Sequence, residues 1–307
     1  MAVEKALNIG PAGLDIAYER FGERTGPPVL LVMGVAAQML NWPDDFCAEL
    51  AARGLQVIRF DNRDAGLSSH LSEAPVPDLP AALAGDTSTA AYTLSDMAAD
   101  AVGLLDALGI DSAHIVGASM GGMIAQTIAL EHPDRVRSLT SMLSTTGDPS
   151  VGQADPEALK AVFSGPPAVT REEVIEQAVR AFRIVGSPDF PMDEAAVRDM
   201  AGRAYDRAYD PLGAARQGIA VIASGDRTAR LRSVEVPTLV MHGAADRMCN
   251  LSGGQATTQA IPGAELVVFD GMGHTLPRAL WPEMIARIVA LVGRAEALRT
   301  SAETWLG

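Results

Sequence analysis

The sequence predicts an α/β fold with a mostly parallel central sheet and helices on both faces. Short apolar runs of strand length alternate with longer segments whose apolar residues recur at helical spacing. Glycines follow several of the helical segments, as they commonly follow helix C-termini. With 307 residues, 48% of them hydrophobic, the chain can form one large domain with a sizeable core.

The first half of the chain contains the most regular part of this alternation. The run 29–33 is wholly apolar and ends at a glycine, which suits a buried strand. Trp42, Phe46 and Leu50 recur at helical spacing, and Gly54 follows the helix that they predict. On such patterns we predict strands at 29–33, 56–60, 113–116 and 136–143, and helices at 42–53, 94–108 and 123–130.

The segment 148–225 breaks the alternation. It contains no clear strand and is rich in helix formers, interrupted by prolines that include Pro166, Pro167, Pro188, Pro191 and Pro211. The alternation then resumes, with predicted strands at 237–242 and 265–269 and predicted helices at 252–260 and 282–298. We therefore predict a core formed by 1–147 and 226–307 and a helical cap formed by 148–225.

Composition disfavours several classes of partner. The formal net charge of −14 would repel nucleic acid and anionic membrane surfaces. No apolar run approaches the length that spans a bilayer, and the first residues lack the pattern of a secretory signal, so we expect a cytoplasmic protein. Cys47 and Cys249 have no partners at metal-ligand spacing, and we expect both to be free thiols that serve packing.

Ser119 is the strongest candidate for a nucleophile. It is the centre of the pentapeptide Gly117-Ala118-Ser119-Met120-Gly121, between a predicted strand and a predicted helix. A serine hydroxyl becomes a good nucleophile when a base takes its proton and the backbone holds it exposed. A sharp strand-to-helix turn exposes the hydroxyl, and it requires small residues on both sides. The alternative is an ordinary glycine-rich turn, because this pentapeptide also arises by chance.

A nucleophilic serine needs a base, and the chain has only five histidines. His274 follows the last predicted strand, where preceding glycines let the backbone turn toward the carboxyl edge of the sheet. It is the predicted base, with an exposed loop histidine as the alternative. His70 is the rival with access to such a site. His132, His114 and His242 are expected at a helix end, a strand entrance and a packing position.

The predicted orienting acid is Asp246. It follows the strand that ends near His242, so Ser119, Asp246 and His274 each follow a different strand and can converge on one sheet edge. Their order along the chain is the order that this topology requires. Asp148 is the alternative acid, and a turn or N-cap role would explain Asp246 without catalysis.

An anionic tetrahedral intermediate needs two backbone N–H groups aimed at one point. Met120 is predicted to supply one, because it follows the serine at a helix N-terminus, where the helix dipole helps. The loop after the strand 29–33 is predicted to supply the other, from Val35 or Gly34. Glycine at position 34 gives this loop the freedom to turn its amides inward.

These residues resemble those of the α/β-hydrolases of the esterase and lactonase type, over nearly the whole chain except the predicted cap. The segment 60–68 resembles the Asp-x-Arg-Gly-x-Gly-x-Ser stretch that follows the fourth strand in this superfamily, with departures at Asp64 and Ala65. We expect this segment to shape the loop beside the site. The resemblance implies an α/β-hydrolase fold with the cap inserted after the sixth strand.

The runs 31–34 and 41–46 are most similar to the aclacinomycin methylesterase group. In that group a methionine likewise stands where many relatives have the histidine of a His-Gly pair, as Met33 does here. The resemblance to this group implies oxyanion donors at Val35 and Met120.

The residues that would contact the substrate are less specific. Gly34, Met39 and Met248 lie beside the predicted site loops, and methionines form adaptable apolar surfaces. Filling gaps in the core is the alternative for each methionine. Tyr205 and Tyr209 lie one helical turn apart in the cap and are predicted to share a face toward the pocket, with an exposed or structural face as the alternative.

The sequence therefore predicts a serine hydrolase that needs no cofactor or metal and cleaves small to medium, apolar carboxylic esters through an acyl-enzyme. Enol-lactone hydrolysis, carbon–carbon bond hydrolysis and perhydrolysis are alternatives on the same residues. A ligand receptor that keeps these residues with little turnover is the alternative outside the enzymes. The expected partner is a small-molecule ester, and the sequence does not specify an oligomeric state.

Overall fold

The computed structural model describes residues 2–163 and 168–306, so Pro166 and Pro167 of the predicted cap lie outside the described residues. The strands are β1 (Glu4–Ile9), β2 (Leu14–Phe21), β3 (Pro28–Val32), β4 (Gln56–Phe60), β5 (Ala113–Ala118), β6 (Val136–Met142), β7 (Thr238–Gly243) and β8 (Glu265–Phe269). Within the described chain they form one sheet in the order β1-β2-β4-β3-β5-β6-β7-β8.

Helices separate most of these strands along the chain. They are α1 (Asp44–Ala51), α2 (Leu79–Leu83), α3 (Leu94–Ala107), α4 (Met120–Glu131), α5 (Pro156–Phe163), α6 (Arg171–Val185), α7 (Glu194–Arg207), α8 (Pro211–Ser224), α9 (Thr228–Leu231), α10 (Ser252–Ala260) and α11 (Trp281–Leu306). Helices α5 to α8 fall within 148–225, between β6 and β7, and no strand interrupts them in the described part of that segment. Across residues 2–163 and 168–306, no helix combines the length and apolarity needed to cross a membrane.

The predicted mostly parallel sheet is confirmed. Strands β4, β3, β5, β6, β7 and β8 pair in parallel, whereas β1 and β2 form an antiparallel edge. Strands β1 and β2 are absent from the predicted strands, because charged residues interrupt both. In β2 the carboxylate of Glu19 is buried in an ion pair with Arg59 of β4, so a charged residue occupies a position where the pattern requires an apolar one.

The predicted helices on both faces of the sheet are also confirmed. Strand β3 is wholly buried, and its alternate residues belong to two different apolar clusters. Leu30 and Val32 pack in the cluster that contains side chains of α3 and α4. Val29 and Leu31 pack in the other cluster, with side chains of α1 and α11. The sheet therefore has a separate core on each face.

Unfavourable backbone conformations collect at the carboxyl edge of the sheet. Ala36, Asp64, Ser119 and Leu143 follow β3, β4, β5 and β6, and each has a positive φ, between 51° and 63°. This left-handed region is unfavourable for residues other than glycine, and such strain concentrates at functional sites. In open α/β sheets the carboxyl edge is also where ligands bind.

The close packing of α4 against β5 yields a stability prediction. A Cβ at Gly117 would lie 2.0 Å from the carbonyl oxygen of Gly121, and backbone cannot move aside as a side chain can. We expect Gly117→Ala to lower the free energy of unfolding by about 1–3 kcal/mol, measured by urea denaturation.

Gly293→Ala is the matched control. Gly293 is exposed within α11, and a Cβ there would meet nothing within 4 Å. Alanine should raise the free energy of unfolding by about 0.5–1 kcal/mol, because glycine is a poor residue for a helix interior. Equal stability of the two variants would contradict the close approach at Gly117.

Candidate active site

Ser119 occupies a sharp turn between the last residue of β5 and the first residue of α4. Its φ is 58° and its ψ is −123°, so the hydroxyl is carried by a strained backbone. The turn is held at both ends, because the Ser119 N–H donates to the carbonyl of Met142 and the Ser144 hydroxyl donates to the carbonyl of Ser119. Gly117 and Gly121 permit the close approach of strand and helix, as the pentapeptide predicted.

The structure brings His274 and Asp246 to this serine. His274 Nε2 lies 3.0 Å from Ser119 Oγ, and His274 Nδ1 lies 2.7 Å from Asp246 Oδ2. The carboxylate is buried, and it selects the tautomer with the proton on Nδ1. The Nε2 lone pair then faces the serine hydroxyl, which is the arrangement that allows an imidazole to accept the proton of a hydroxyl.

The loop after β7 holds the Asp246 carboxylate in place. Asp246 Oδ1 accepts the backbone N–H groups of Met248 and Cys249, at 2.8 and 2.9 Å. His242 lies beneath this loop, where its Nε2–H donates to the carbonyl of Cys249 at 2.7 Å. Burial lowers the pKa of His242, so it supports the loop as a neutral side chain and leaves the negative charge of Asp246 for His274.

The structure also places the other histidines. His114 is buried in β5, 2.8 Å from the Ser138 hydroxyl, and burial lowers its pKa to about 4. His132 follows the end of α4. His70, the rival base, is bonded to Asp210 and Gly66. Within the described chain, His274 is the histidine that contacts Ser119 Oγ.

The loop after β3 lies against Ser119. A Cβ at Gly34 would be 3.0 Å from Ser119 Cβ and 3.4 Å from its Oγ, so the absence of a side chain there leaves space beside the hydroxyl oxygen. Val35 follows Gly34, and Met120 is the first residue of α4. Neither amide donates a hydrogen bond to another group in the parts of the chain that the structure describes, which leaves both N–H groups available to an anion.

Three polar side chains without a predicted role hold this loop. Asp61 Oδ1 accepts the Met39 N–H at 2.7 Å, and the Asn62 side chain donates to the carbonyl of Met33 at 2.9 Å. Gln217, from α8, accepts the Ala36 N–H at 2.9 Å. The segment 60–68 thus shapes the loop as its resemblance implied. Gln217 left no local signal, because its partner is 181 positions away.

The segment that follows α6 is bonded to the loop of His274. The His274 N–H donates to the carbonyl of Val185 at 2.7 Å, and the Gly273 N–H donates to the Ser187 hydroxyl at 2.9 Å. The Asp189 N–H donates to the carbonyl of Gly271 at 3.3 Å. The position of the imidazole is therefore coupled to this segment.

The residues predicted to contact substrate have different surroundings. The Met39 side chain is fully buried, and Met248 is half-buried beside the Asp246 loop. The rings of Tyr205 and Tyr209 lie 5.6 Å apart, but Tyr209 follows the end of α7, so the two do not share a face of one helix. Their hydroxyls donate to the carbonyls of Val169 and Ala168, so this pair anchors the segment that precedes α6.

The group formed by Asp64, His70 and Asp210 is the one in the described residues whose ligand atoms are close enough to hold a metal ion. The hydrogen bonds of this group disfavour metal binding, because donated protons already occupy its ligand atoms. Arg216 donates to both oxygens of Asp64 at 2.8 Å and to Asp210 at 3.2 Å. His70 Nε2 faces the carbonyl of Gly66 and Nδ1 faces Asp210, so both ring nitrogens must donate. Burial opposes the charge, but these two acceptors raise the pKa of His70.

Comparison with known proteins gives a consistent set of relatives. The family described as alpha/beta hydrolase fold matches residues 27–277. The rhodomycin D methylesterase of Streptomyces peucetius is 29% identical over 293 residues, which cover 89% of this chain and 93% of that protein. The 2-hydroxymuconate semialdehyde hydrolase of Pseudomonas putida is 29% identical over 68% of this chain and 72% of its own length. Among solved structures, the enol-lactonase from Burkholderia xenovorans has a TM-score of 0.65 and 25% identity, and 99% of each chain is covered.

The ion pair between His70 and Asp210 predicts a pH-dependent contribution to stability. Because the pKa of His70 is raised in the folded state, folding favours the protonated ring. The contribution is fully present below the unfolded pKa of roughly 6.5 and is lost as the pH rises through the higher folded value. We expect His70→Gln to lower the melting temperature at pH 5.5 and to have a smaller effect at pH 8.5.

Asp210→Asn is the control background for this measurement. Asparagine keeps the helix-capping role of Asp210 at the start of α8 but removes its charge. The pH dependence of the His70→Gln effect should shrink in that background. The same effect of His70→Gln at both pH values in the wild-type background would exclude a charged His70.

Proposed function

The chain belongs to the alpha/beta hydrolase fold family, and on that premise we propose that it hydrolyses carboxylic esters with Ser119 as nucleophile, His274 as base and Asp246 as orienting acid. The observation that carries the proposal is the pair of hydrogen bonds, 3.0 and 2.7 Å long, that joins the three side chains. The strained turn at Ser119 supports it, because that turn exposes the hydroxyl at the sheet edge.

The proposed reaction has two halves. Ser119 Oγ attacks the ester carbonyl carbon while its proton moves to His274 Nε2. The N–H groups of Val35 and Met120 bind the resulting oxyanion, and Asp246 stabilises the imidazolium. The intermediate collapses to an acyl-enzyme, and the leaving alcohol takes the proton from His274. Water then attacks the acyl group by the same route and releases the acid and the free serine.

We propose that helices α5 to α8, within 148–225, form a cap over this site. The hydrogen bonds of Val185 and Ser187 to the His274 loop, and of Gln217 to the loop after β3, support the proposal. A cover of this kind would exclude water from the pocket and strengthen the electrostatic contacts around the oxyanion.

For the substrate we propose small to medium, apolar esters, and among them methyl esters of bulky acids first. The relatives named as rhodomycin D methylesterases match 89% of this chain. Methyl esters also suit the mechanism, because a small alcohol needs little space on the leaving-group side of Ser119. The bulk of the substrate would then lie on the acyl side of the scissile bond.

Carbon–carbon bond hydrolysis is the second candidate. The 2-hydroxymuconate semialdehyde hydrolase matches 68% of the chain, and the enol-lactonase supports lactone hydrolysis on the same arrangement. Perhydrolysis would need the same three side chains with peroxide in place of water. These reactions share the attack at a carbonyl and the oxyanion, so the three residues alone do not separate them.

Ser119→Ala should lower the turnover of an activated ester at least roughly a thousandfold, because the nucleophile is removed while the oxyanion donors remain. The measurement is product release monitored well beyond one equivalent of enzyme, with circular dichroism to verify the fold. The control is Ser95→Ala, at an exposed serine that contacts Glu131, and it should keep wild-type turnover. Full activity of Ser119→Ala would exclude this serine as the nucleophile.

Substrate class is tested with a panel of methyl esters of bulky aromatic acids, short-chain aryl esters, enol-lactones and carbon–carbon hydrolase substrates. We expect the methyl esters to give the highest kcat/KM. In wild type, a single burst of one equivalent followed by arrest on every substrate would favour a receptor with little turnover.

A further inference from the structure

Gln217 of α8 joins two loops of the sheet edge. Its side chain is fully buried, with Oε1 2.9 Å from the Ala36 N–H and Nε2 2.7 Å from the carbonyl of Arg63. Ala36 follows β3 and Arg63 follows β4. A carboxamide is one of the few neutral side chains that accepts and donates at the same time, so it satisfies both buried backbone groups.

The group that Gln217 holds is next to the proposed oxyanion donor. Ala36 has a φ of 59°, a conformation that alanine rarely adopts because its Cβ crowds the backbone. The peptide that carries the Val35 N–H is one unit before the peptide that carries the Ala36 N–H. Relaxation of the Ala36 backbone toward a common conformation would therefore rotate Val35 and redirect its N–H group.

A second contact from the same segment of chain fixes the loop further along. The side-chain amide of Gln38 donates to the carbonyls of Ala204 and Ala208, at 2.8 and 2.9 Å, near the end of α7. Arg207 donates to Gln38 Oε1 at 2.9 Å and also pairs with the buried Asp61. The loop after β3 is thus bound to α7 at residue 38 and to α8 at residue 36.

The nearest neighbour of Gln217 in α8 supports the turn after β4. Arg216 donates two hydrogen bonds to Asp64, which also has a positive φ, of 63°. Two successive residues of α8 therefore stabilise two strained turns, one after each of two neighbouring strands.

We propose that Gln217 is a positioning residue, which holds Ala36 in its left-handed conformation so that the Val35 N–H points at the oxyanion. Correct seating of α8 on the core is then a condition for a complete oxyanion site. This inference rests on the proposed function, because Gln217 has a positioning role only if the Val35 N–H binds the oxyanion. The strength of a preorganised donor depends on its direction as well as its presence.

The test replaces Gln217 with methionine, which keeps the length and apolar contacts of the side chain and removes both hydrogen bonds. We expect kcat for the best ester of the panel to fall roughly tenfold to a hundredfold, with KM little changed, because the lost interaction forms only with the oxyanion. Affinity for a phenylboronic acid, whose tetrahedral adduct on Ser119 mimics the intermediate, should fall in the same proportion.

Ala36→Gly separates positioning from simple support of the fold. Glycine adopts a positive φ without strain, so the loop no longer needs the side chain of Gln217 to remain in place. We expect the double variant Ala36→Gly with Gln217→Met to recover part of the lost kcat and boronate affinity. If Gln217 only packs α8 against the core, Ala36→Gly gives no recovery.

Two further variants complete the comparison. Gln217→Glu keeps the acceptor for the Ala36 N–H and should retain more activity than Gln217→Met. Arg171→Gln, which removes an exposed ion pair to Asp206, is the control for general loosening of these helices and should keep wild-type kcat. Melting temperatures of all variants show which of them remain folded at the assay temperature.

The outcomes distinguish this inference from the proposed function. Wild-type kcat and boronate affinity in Gln217→Met, with Ser119→Ala inactive, overturn the positioning role and leave the serine mechanism intact. Turnover that does not depend on Ser119 overturns the proposed function and the positioning role with it. A loss of kcat and boronate affinity that Ala36→Gly partly restores, with KM little changed, supports the role of Gln217.

Discussion

The left-handed backbone at Ser119 is the constraint on which the site depends. A serine in this conformation is unfavourable alone, and it persists because β5 and α4 approach each other closely enough to hold it. That approach requires glycine at position 117, where a Cβ would meet the carbonyl oxygen of Gly121, and glycine at position 121 lets α4 lie equally close to Val32 of β3. The same crowding brings Gly34 against the serine, so the turn that exposes the hydroxyl also sets where the neighbouring loop can lie.

Other turns along the same sheet edge also contain residues with a positive φ. Side chains from outside the sheet stabilise two of them, Asp64 and Ala36. The Asp64 carboxylate accepts hydrogen bonds from Arg216 and Tyr92, and the Ala36 N–H donates to the side chain of Gln217. The loop of His274 is bonded to the segment after α6. Apart from the contact of Tyr92, each of these contacts comes from a group within 148–225. The helices between β6 and β7 therefore contribute to the geometry of this sheet edge.

Residues whose position follows from the local strand pattern could be predicted from the sequence, whereas residues that depend on partners far away in the chain could not. Ser119, Asp246 and His274 could be predicted together because each follows a separate strand, and parallel strands end at one edge. Strands β1 and β2 could not, because Glu19 is buried only through its pairing with Arg59. Gln217 could not either, since a contact across 181 positions leaves no periodic pattern.

One sequence feature did contain a signal of those distant contacts. Asp64 departs from a motif position that is usually glycine, and the structure gives this residue a φ of 63°. A non-glycine residue in that conformation must be stabilised by its surroundings, and Arg216 and Tyr92 supply that stabilisation.

In the proposed mechanism, substrate selection arises away from the side chains of Ser119, His274 and Asp246. Esters, enol-lactones and carbon–carbon bond substrates all pass through an oxyanion beside the attacked carbon, so a well-aligned pair of N–H donors serves each of them equally. Discrimination then falls to surfaces that contact the rest of the substrate, and helices α7 and α8 are bonded to the loop that faces Ser119. If these helices select the substrate, the residues that do so are coupled through Gln38 and Gln217 to the oxyanion loop. A substrate that displaces α8 would then lose transition-state stabilisation as well as binding. Poor substrates would therefore differ from good ones in kcat as well as in KM.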